Sequence, residues 1–203
     1  PSALALSDSI LAIVDTQSDS LIHIVNVEKQ KYIRKVGVLG QGPTEFTMIT
    51  SLNTSGNSSF QLYDPNKRTC YDMTCMMDAT LFSPLFKIDS LMHYEVRPLA
   101  GHLYLATGVY EANRYCLVNA QGRIENTFGE WPYRDEKEKS VSSRVKAQAY
   151  MGGITVNPSG TKFLSYVATA DILSFYHFEK DGARLVKESC LSYPDYAYNL
   201  SLI

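Results

Sequence analysis

The chain has 203 residues, 45% of them hydrophobic and 11% aromatic, which is enough apolar mass to bury the core of one domain. A formal net charge of −2 and a pI near 6.1 supply no basic field for nucleic acid or an anionic membrane surface. No apolar run approaches the roughly 18 residues of a membrane span, and fourteen tyrosines against one tryptophan favour an all-β fold.

Taken in chain order, the first strands read at Leu11-Ala12-Ile13-Val14-Asp15, Leu21-Ile22-His23-Ile24-Val25 and Tyr32-Ile33-Arg34-Lys35-Val36, with no inner strand before them. Gly37-Val38-Leu39-Gly40-Gln41-Gly42-Pro43-Thr44-Glu45-Phe46 then turns the chain sharply. Glu45 offers it a polar anchor and Phe46 an apolar one. A second group of strands spans Met48 to about Ile88. A third holds 92–96, 103–107, 114–118 and 124–128, with a turn at Asn119-Ala120-Gln121-Gly122. Trp131-Pro132-Tyr133 opens a break that carries six charges of mixed sign from Arg134 to Lys139. It reads as a solvated loop, or as a short helix through Ser140–Lys146 supported by local Glu/Lys pairs. The fourth group follows as 153–156, the turn Asn157-Pro158-Ser159-Gly160, 162–166, 172–178, the turn Glu179-Lys180-Asp181-Gly182, and 185–188.

These groups repeat. Asp15 and Asp64 close similar apolar strands 49 residues apart, and the strands that follow within each group end at 25, 73, 118 and 178. All-strand units of about 40–50 residues are propeller blades, whereas helical solenoids would show a 3.6-residue period. The blades are expected at 1–42, 43–90, 91–130 and 147–190, with 131–146 as a charged insertion between blades.

Gly-x-Gly-Pro-x-Glu-Phe at 40–46, Tyr150-Met151-Gly152-Gly153 before a strand, and Asn157-Pro158-Ser159-Gly160-Thr161-Lys162-Phe163 together resemble the TolB-like and NHL-like six-bladed β-propellers of Bacteroidetes. The resemblance implies four-stranded antiparallel blades, of which this chain holds about four of six. A six-bladed ring would need roughly 300 residues at this period. The expected result is an open arc whose edges are covered by a second copy or by further sequence. The alternative is that Tyr198 to Ile203 serves as one closing strand for the first blade. The resemblance also implies an exported lipoprotein of the periplasm or cell surface, acting as a non-catalytic binding protein. The competing reading is a metal-dependent hydrolase or lactonase on the same scaffold.

Catalytic signals are weak. Gly40-x-Gly42 leads into Pro43 and a strand, so its amides do not form a phosphate-binding helix start. Ser159 sits in a hairpin turn with no nucleophile elbow. His23, His93, His102 and His177 are never paired at metal-ligand spacing, and Cys70-x4-Cys75 lacks the spacing of a zinc knuckle. Cys70 and Cys75 could pair in an oxidising compartment, although buried thiols are the simpler reading for these and for Cys116 and Cys190. A lactonase-type metal set would have to come from Asn53, Glu95 and Asn157. No cofactor is implied. The remaining expectation is a ligand- or protein-binding surface at the mouth of the propeller funnel, formed by His93, Tyr94, Arg97, Gln148, Tyr150 and Met151. Tyrosine and arginine anchor partners at low entropic cost. Tyr94 and Tyr150 would otherwise pack between blades.

Overall fold

Burial alternates with a period of two along some strands, whereas others, such as Tyr115–Asn119, are buried on both faces. Lys162–Val167 and the first five residues of Ile172–Glu179 show the alternation cleanly. In a computed structural model that describes residues 2–43, 45–56, 59–75, 80–88, 92–179 and 182–197, this patterning organises four antiparallel sheets of four strands each. The chain divides into two units, residues 1–89 and 90–203, with two sheets in each.

Unit 1 begins with β1 (Ser2–Ala5), β2 (Ile10–Val14), β3 (Ser20–Asn26) and β4 (Lys31–Val38), paired in that order. The first sheet therefore has its own inner strand, contrary to the expectation of three strands only: Ser2 to Ala5 pair with Val14 to Leu11. Alternating small residues, Ala3 and Ala5, give β1 little β-propensity and hide it from a pattern search. The closing strand considered at Tyr198 to Ile203 lies outside the described residues. The second sheet holds β5 (Ser51–Gly56), β6 (Ser59–Asp64), β7 (Thr69–Cys75) and β8 (Thr80–Lys87). Ala12, Val14, Ile22 and Ile24 from the first sheet and Leu52, Phe60, Leu62 and Met73 from the second build one shared core.

The Gly-rich crossing seals that core. Phe46 is fully buried, with its ring 4.9 Å from Tyr71 and 5.4 Å from Phe82. The Glu45 carboxylate accepts the Gly42 amide at 2.7 Å, and Lys67 Nζ donates to the carbonyls of Gly42 and Glu45 at 2.6 Å each. A Cβ on Gly40 would stand 2.0 Å from the Glu45 carboxylate, so any larger residue there must push that carboxylate off the Gly42 amide. The Gly42 amide is spent inside the turn rather than offered to a phosphate. Asp64, wholly buried at the end of β6, ties the crossing to the next hairpin. Its carboxylate accepts the Thr47 amide and hydroxyl, both at 2.7 Å, and the amides of Asn66 and Lys67 at 3.1 Å.

Cys70 and Cys75, both free, stand five residues apart on β7. At about 3.3 Å per residue they are some 16 Å apart and on opposite faces, beyond the reach of a disulfide. The oxidised pair entertained from the sequence is thereby corrected.

Unit 2 contains β9 (Met92–Pro98), β10 (Leu103–Val109), β11 (Tyr115–Asn119) and β12 (Ile124–Phe128), followed by β13 (Gly152–Val156), β14 (Lys162–Val167), β15 (Ile172–Glu179) and β16 (Gly182–Cys190). Between the two sheets lie a 3-10 turn at Glu138–Ser140 and the helix α1 (Ser143–Ala149), which starts three residues later than the sequence suggested. Aromatic packing joins the sheets: Phe163 stacks on Tyr176 at 4.5 Å, and both meet the Tyr115 ring edge-on. Among the described residues no helix is long and apolar enough to cross a membrane.

The charged insertion is not wholly solvated. Glu138 is completely buried and Lys146 nearly so, although the other charges from Arg134 to Lys139 are exposed. Glu138 Oε1 accepts the hydroxyl of Tyr150 at 2.9 Å and that of Tyr196, while its other oxygen accepts the Arg134 amide. Lys146 Nζ donates to the Lys139 carbonyl at 2.7 Å. Buried charges need such partners, because water cannot serve them.

Candidate functional site

A bulge creates the candidate site in unit 2. The register of β10 on β9 jumps from Thr107 opposite Glu95 to Gly108 opposite His93, leaving Tyr94 as the extra residue. Bulges of this kind re-aim a side chain. Tyr94 is thereby placed against Val109, Trp131, Tyr150 and Val167 in a cluster where the sheets meet the insertion. Burial holds the Tyr94 hydroxyl above its usual range, opposed by the charge of Arg144.

Beside this cluster lies a narrow cleft lined by Tyr94, Thr107, Gly108, Arg114, Trp131, Ala147, Tyr150, Met151, Gly152, Gly153 and Ser165. Its volume is about 20 Å³. Gly152 allows the strands to close up here, since a Cβ would stand 1.8 Å from the Tyr166 carbonyl oxygen. The sequence-predicted residues divide. Tyr94, Tyr150 and Met151 share the cleft. His93 is 1% exposed, with Nδ1 hydrogen-bonded to the Tyr110 hydroxyl at 2.8 Å. Arg97 pairs with Glu95 at 3.5 Å, and Gln148 is exposed on α1. Tyr150 itself is 1% exposed and anchored on Glu138, so it supports the cleft from inside the core.

Three residues not singled out from the sequence complete the site. Arg114 is 4% exposed, its guanidinium carbon 5.4 Å from the Tyr115 ring centre and 5.8 Å from that of Trp131. Among the described residues its side chain donates no hydrogen bond and has no carboxylate within ion-pairing distance. The Trp131 indole Nε1 and the Thr107 hydroxyl are buried and without partners. Burying an arginine costs several kcal/mol, and the two ring contacts offset part of that without supplying acceptors for its N–H groups. From the sequence Arg114 reads only as the first residue of the strand 114–118. Its usable signal was a lone cation abutting the buried run Tyr115–Val118.

The groups proposed for a metal set are committed elsewhere. Glu95 accepts the Ile154 amide at 2.9 Å as well as pairing with Arg97, and burial outweighs both in holding its carboxyl above the usual range. The Asn157 side chain accepts the amides of Thr161 and Lys162 and donates to Ser159, closing its turn. Asn53 lies on β5, in the other unit. Ser159 is bonded within that same turn, and no histidine or carboxylate lines the cleft to activate a nucleophile.

Comparison with known proteins places this arrangement among propellers. A sequence model of the family described as TolB-like 6-blade propeller-like matches residues 1–200. No curated protein sequence matches the chain. Among solved structures, a presumed exported protein of Bacteroides fragilis is similar at 13% identity and a TM-score of 0.59, covering 91% of this chain and 49% of its own. A protein of unknown function from Desulfotomaculum acetoxidans matches at 11% identity and 0.54, covering 89% and 52%. Hydrazine synthase of Kuenenia stuttgartiensis matches at 12% and 0.51, covering 92% and 53%. At these identities the likeness is one of fold alone, and the chain spans about half the length of these structures.

Proposed function

The chain belongs to the TolB-like 6-blade propeller-like family, and from that premise we propose that it is a non-catalytic binding propeller of the bacterial cell envelope. The observation that carries this reading is the cleft between β10, β13 and the insertion. Its lining residues include Trp131 and Thr107, whose buried donors no protein group uses, and Arg114, whose guanidinium packs on rings rather than on a carboxylate, and it lacks a nucleophile with an adjacent base. Its exposed rim is Met151, with Gln148 nearby on α1. Export to the periplasm or cell surface is supported by the Bacteroides fragilis neighbour, which is described as exported.

Six blades in the complete protein are supported by the length of the solved relatives, about twice that of this chain. The outward face of the fourth sheet, with Tyr166, Leu173, Phe175 and Val186 all exposed, would then take a further blade or a second copy of the chain. Expected blade limits remain 1–42, 43–90, 91–130 and 147–190.

Assay of the purified chain against lactones, carboxylic esters and phosphate esters, with and without added divalent cations, tests the reading. No turnover is expected. Metal-dependent hydrolysis that disappears in Glu95→Gln would overturn it in favour of a hydrolase.

A further inference from the structure

We propose that the cleft beside Arg114 is an anion site, admitting one monovalent group no larger than a carboxylate. The proposal rests on reading the cleft as a binding site and names the chemistry it takes. Arg114, Trp131 and Thr107 are among the cleft's lining residues, and the Trp131 indole N–H and the Thr107 hydroxyl are buried without partners. Guanidinium and indole can only donate, so nothing but an acceptor satisfies them. No Asp or Glu lines the cleft, and the guanidinium has no carboxylate in ion-pairing distance among the described residues. A group that is 4% exposed and permanently charged is thus held beneath two aromatic rings with its charge uncancelled.

Size selects the ligand. A volume of about 20 Å³ has room for little more than one water-sized group, which favours a small monovalent acceptor over the bulkier sulfate or phosphate ester. Met151, 51% exposed, stands at the cleft's surface end and is followed by Gly152 and Gly153, which add no side chains to the lining. A free halide fits, and so does a carboxylate end whose remainder stays outside past Met151. Both supply the same thing, a compact negative acceptor for a planar cation.

Trp131 is the sole tryptophan, so its emission reports from within the site. The full chain is titrated with bromide at constant ionic strength, with sulfate as the balancing salt. Saturable quenching is expected, reversed by chloride and unaffected by sulfate. Reversal by formate as well identifies a carboxylate-competent site; reversal by chloride alone identifies a halide site. Arg114→Met should weaken the apparent affinity by about tenfold or more, the loss of a charge-assisted contact. Thr107→Val conserves shape, should weaken it by about threefold, and decides the matter if the arginine variant does not fold. A chloride-dependent rise in melting temperature over sulfate, absent in Thr107→Val, is the second readout. Quenching that stays linear in bromide with equal slopes in wild type and Thr107→Val overturns the proposal, as does sulfate acting like chloride. Linear quenching without ester or lactone turnover overturns the anion site alone, whereas metal-dependent turnover would also remove the binding reading beneath it.

Discussion

Removing the Glu138 carboxylate should loosen the insertion, the start of β13 and the C-terminal segment together. Three donors converge on it, and they differ in how readily water can replace the acceptor. The Tyr150 hydroxyl belongs to a residue 1% exposed, that of Tyr196 is half-buried, and the Arg134 amide belongs to an exposed residue. A hydrogen bond to a charged group contributes about 1.5–3 kcal/mol, and a buried donor left without one loses most of that. Glu138→Ala strands two tyrosine hydroxyls and opens a void, giving an expected cost of about 3–5 kcal/mol. Glu138→Gln can keep its amide oxygen where both hydroxyls donate and gives up only the Arg134 amide, for about 1 kcal/mol. Tyr150→Phe retains the ring against Trp131 and Ala147 and should fall between them, near 2 kcal/mol. Urea unfolding followed by Trp131 emission measures all three in the cluster concerned. An Ala variant within about 1 kcal/mol of wild type, or a Gln variant as costly as Ala, would refute acceptor loss as the cause.

Gly40→Ala should cost about 1–2 kcal/mol, because its Cβ displaces the Glu45 carboxylate from the Gly42 amide, while Phe46→Ala should cost about 3–5 kcal/mol in melts of the same chain. Timed alkylation read by mass spectrometry should modify Cys190 first, since it is exposed, whereas Cys70 and Cys116 are buried. Burial pushes the Cys116 thiol up to about 12 and Cys70 higher still, and equal labelling would contradict this. The Glu95 carboxyl is raised, chiefly by burial, so the folded chain binds its proton more readily than the unfolded one. Its contribution to stability is present below the unfolded value and lost as pH rises through the folded one. Melting curves from mildly acidic to neutral pH should therefore flatten in Glu95→Gln, and an unchanged slope would count against the assignment.

The strands of the third and fourth sheets were legible because each combines period-two patterning with a turn that glycine or asparagine marks. Asn157 and Gly160 sit where the side chain and positive φ that close the turn are needed. Strand β1 was not legible, since Ser2–Ala5 has too little side chain to show alternation. Phe46 announced itself as a core residue next to a glycine-rich turn. Glu138 did not, because in sequence it is one charge among six and its burial depends on Tyr150 and Tyr196, 12 and 58 residues away. The candidate site was legible only in part for the same reason. Tyr94 and Met151 could be read from their place beside inner strands, whereas Arg114 is significant only through what long-range packing leaves around it.

The fourth sheet carries apolar residues on both faces, and that is the strongest physical statement this sequence makes about its architecture. One face, through Ile154, Phe163 and Tyr176, is buried against Leu105 and Tyr115 of the third sheet. On the other, Leu164 pairs with Phe175 as Leu105 pairs with Leu117 in the third sheet, and Tyr166 pairs with Leu173 as Thr107 pairs with Tyr115. The outward face thus repeats, position for position, the surface on which the third sheet receives the fourth. A sheet that ended its stack would gain by placing polar residues there, because an exposed apolar patch favours association over solubility. Instead Phe175 and Leu173 stay about two-fifths exposed. Residue chemistry therefore leaves an exposed apolar surface on this sheet, of the kind that the second copy or further blade of the proposed function would cover.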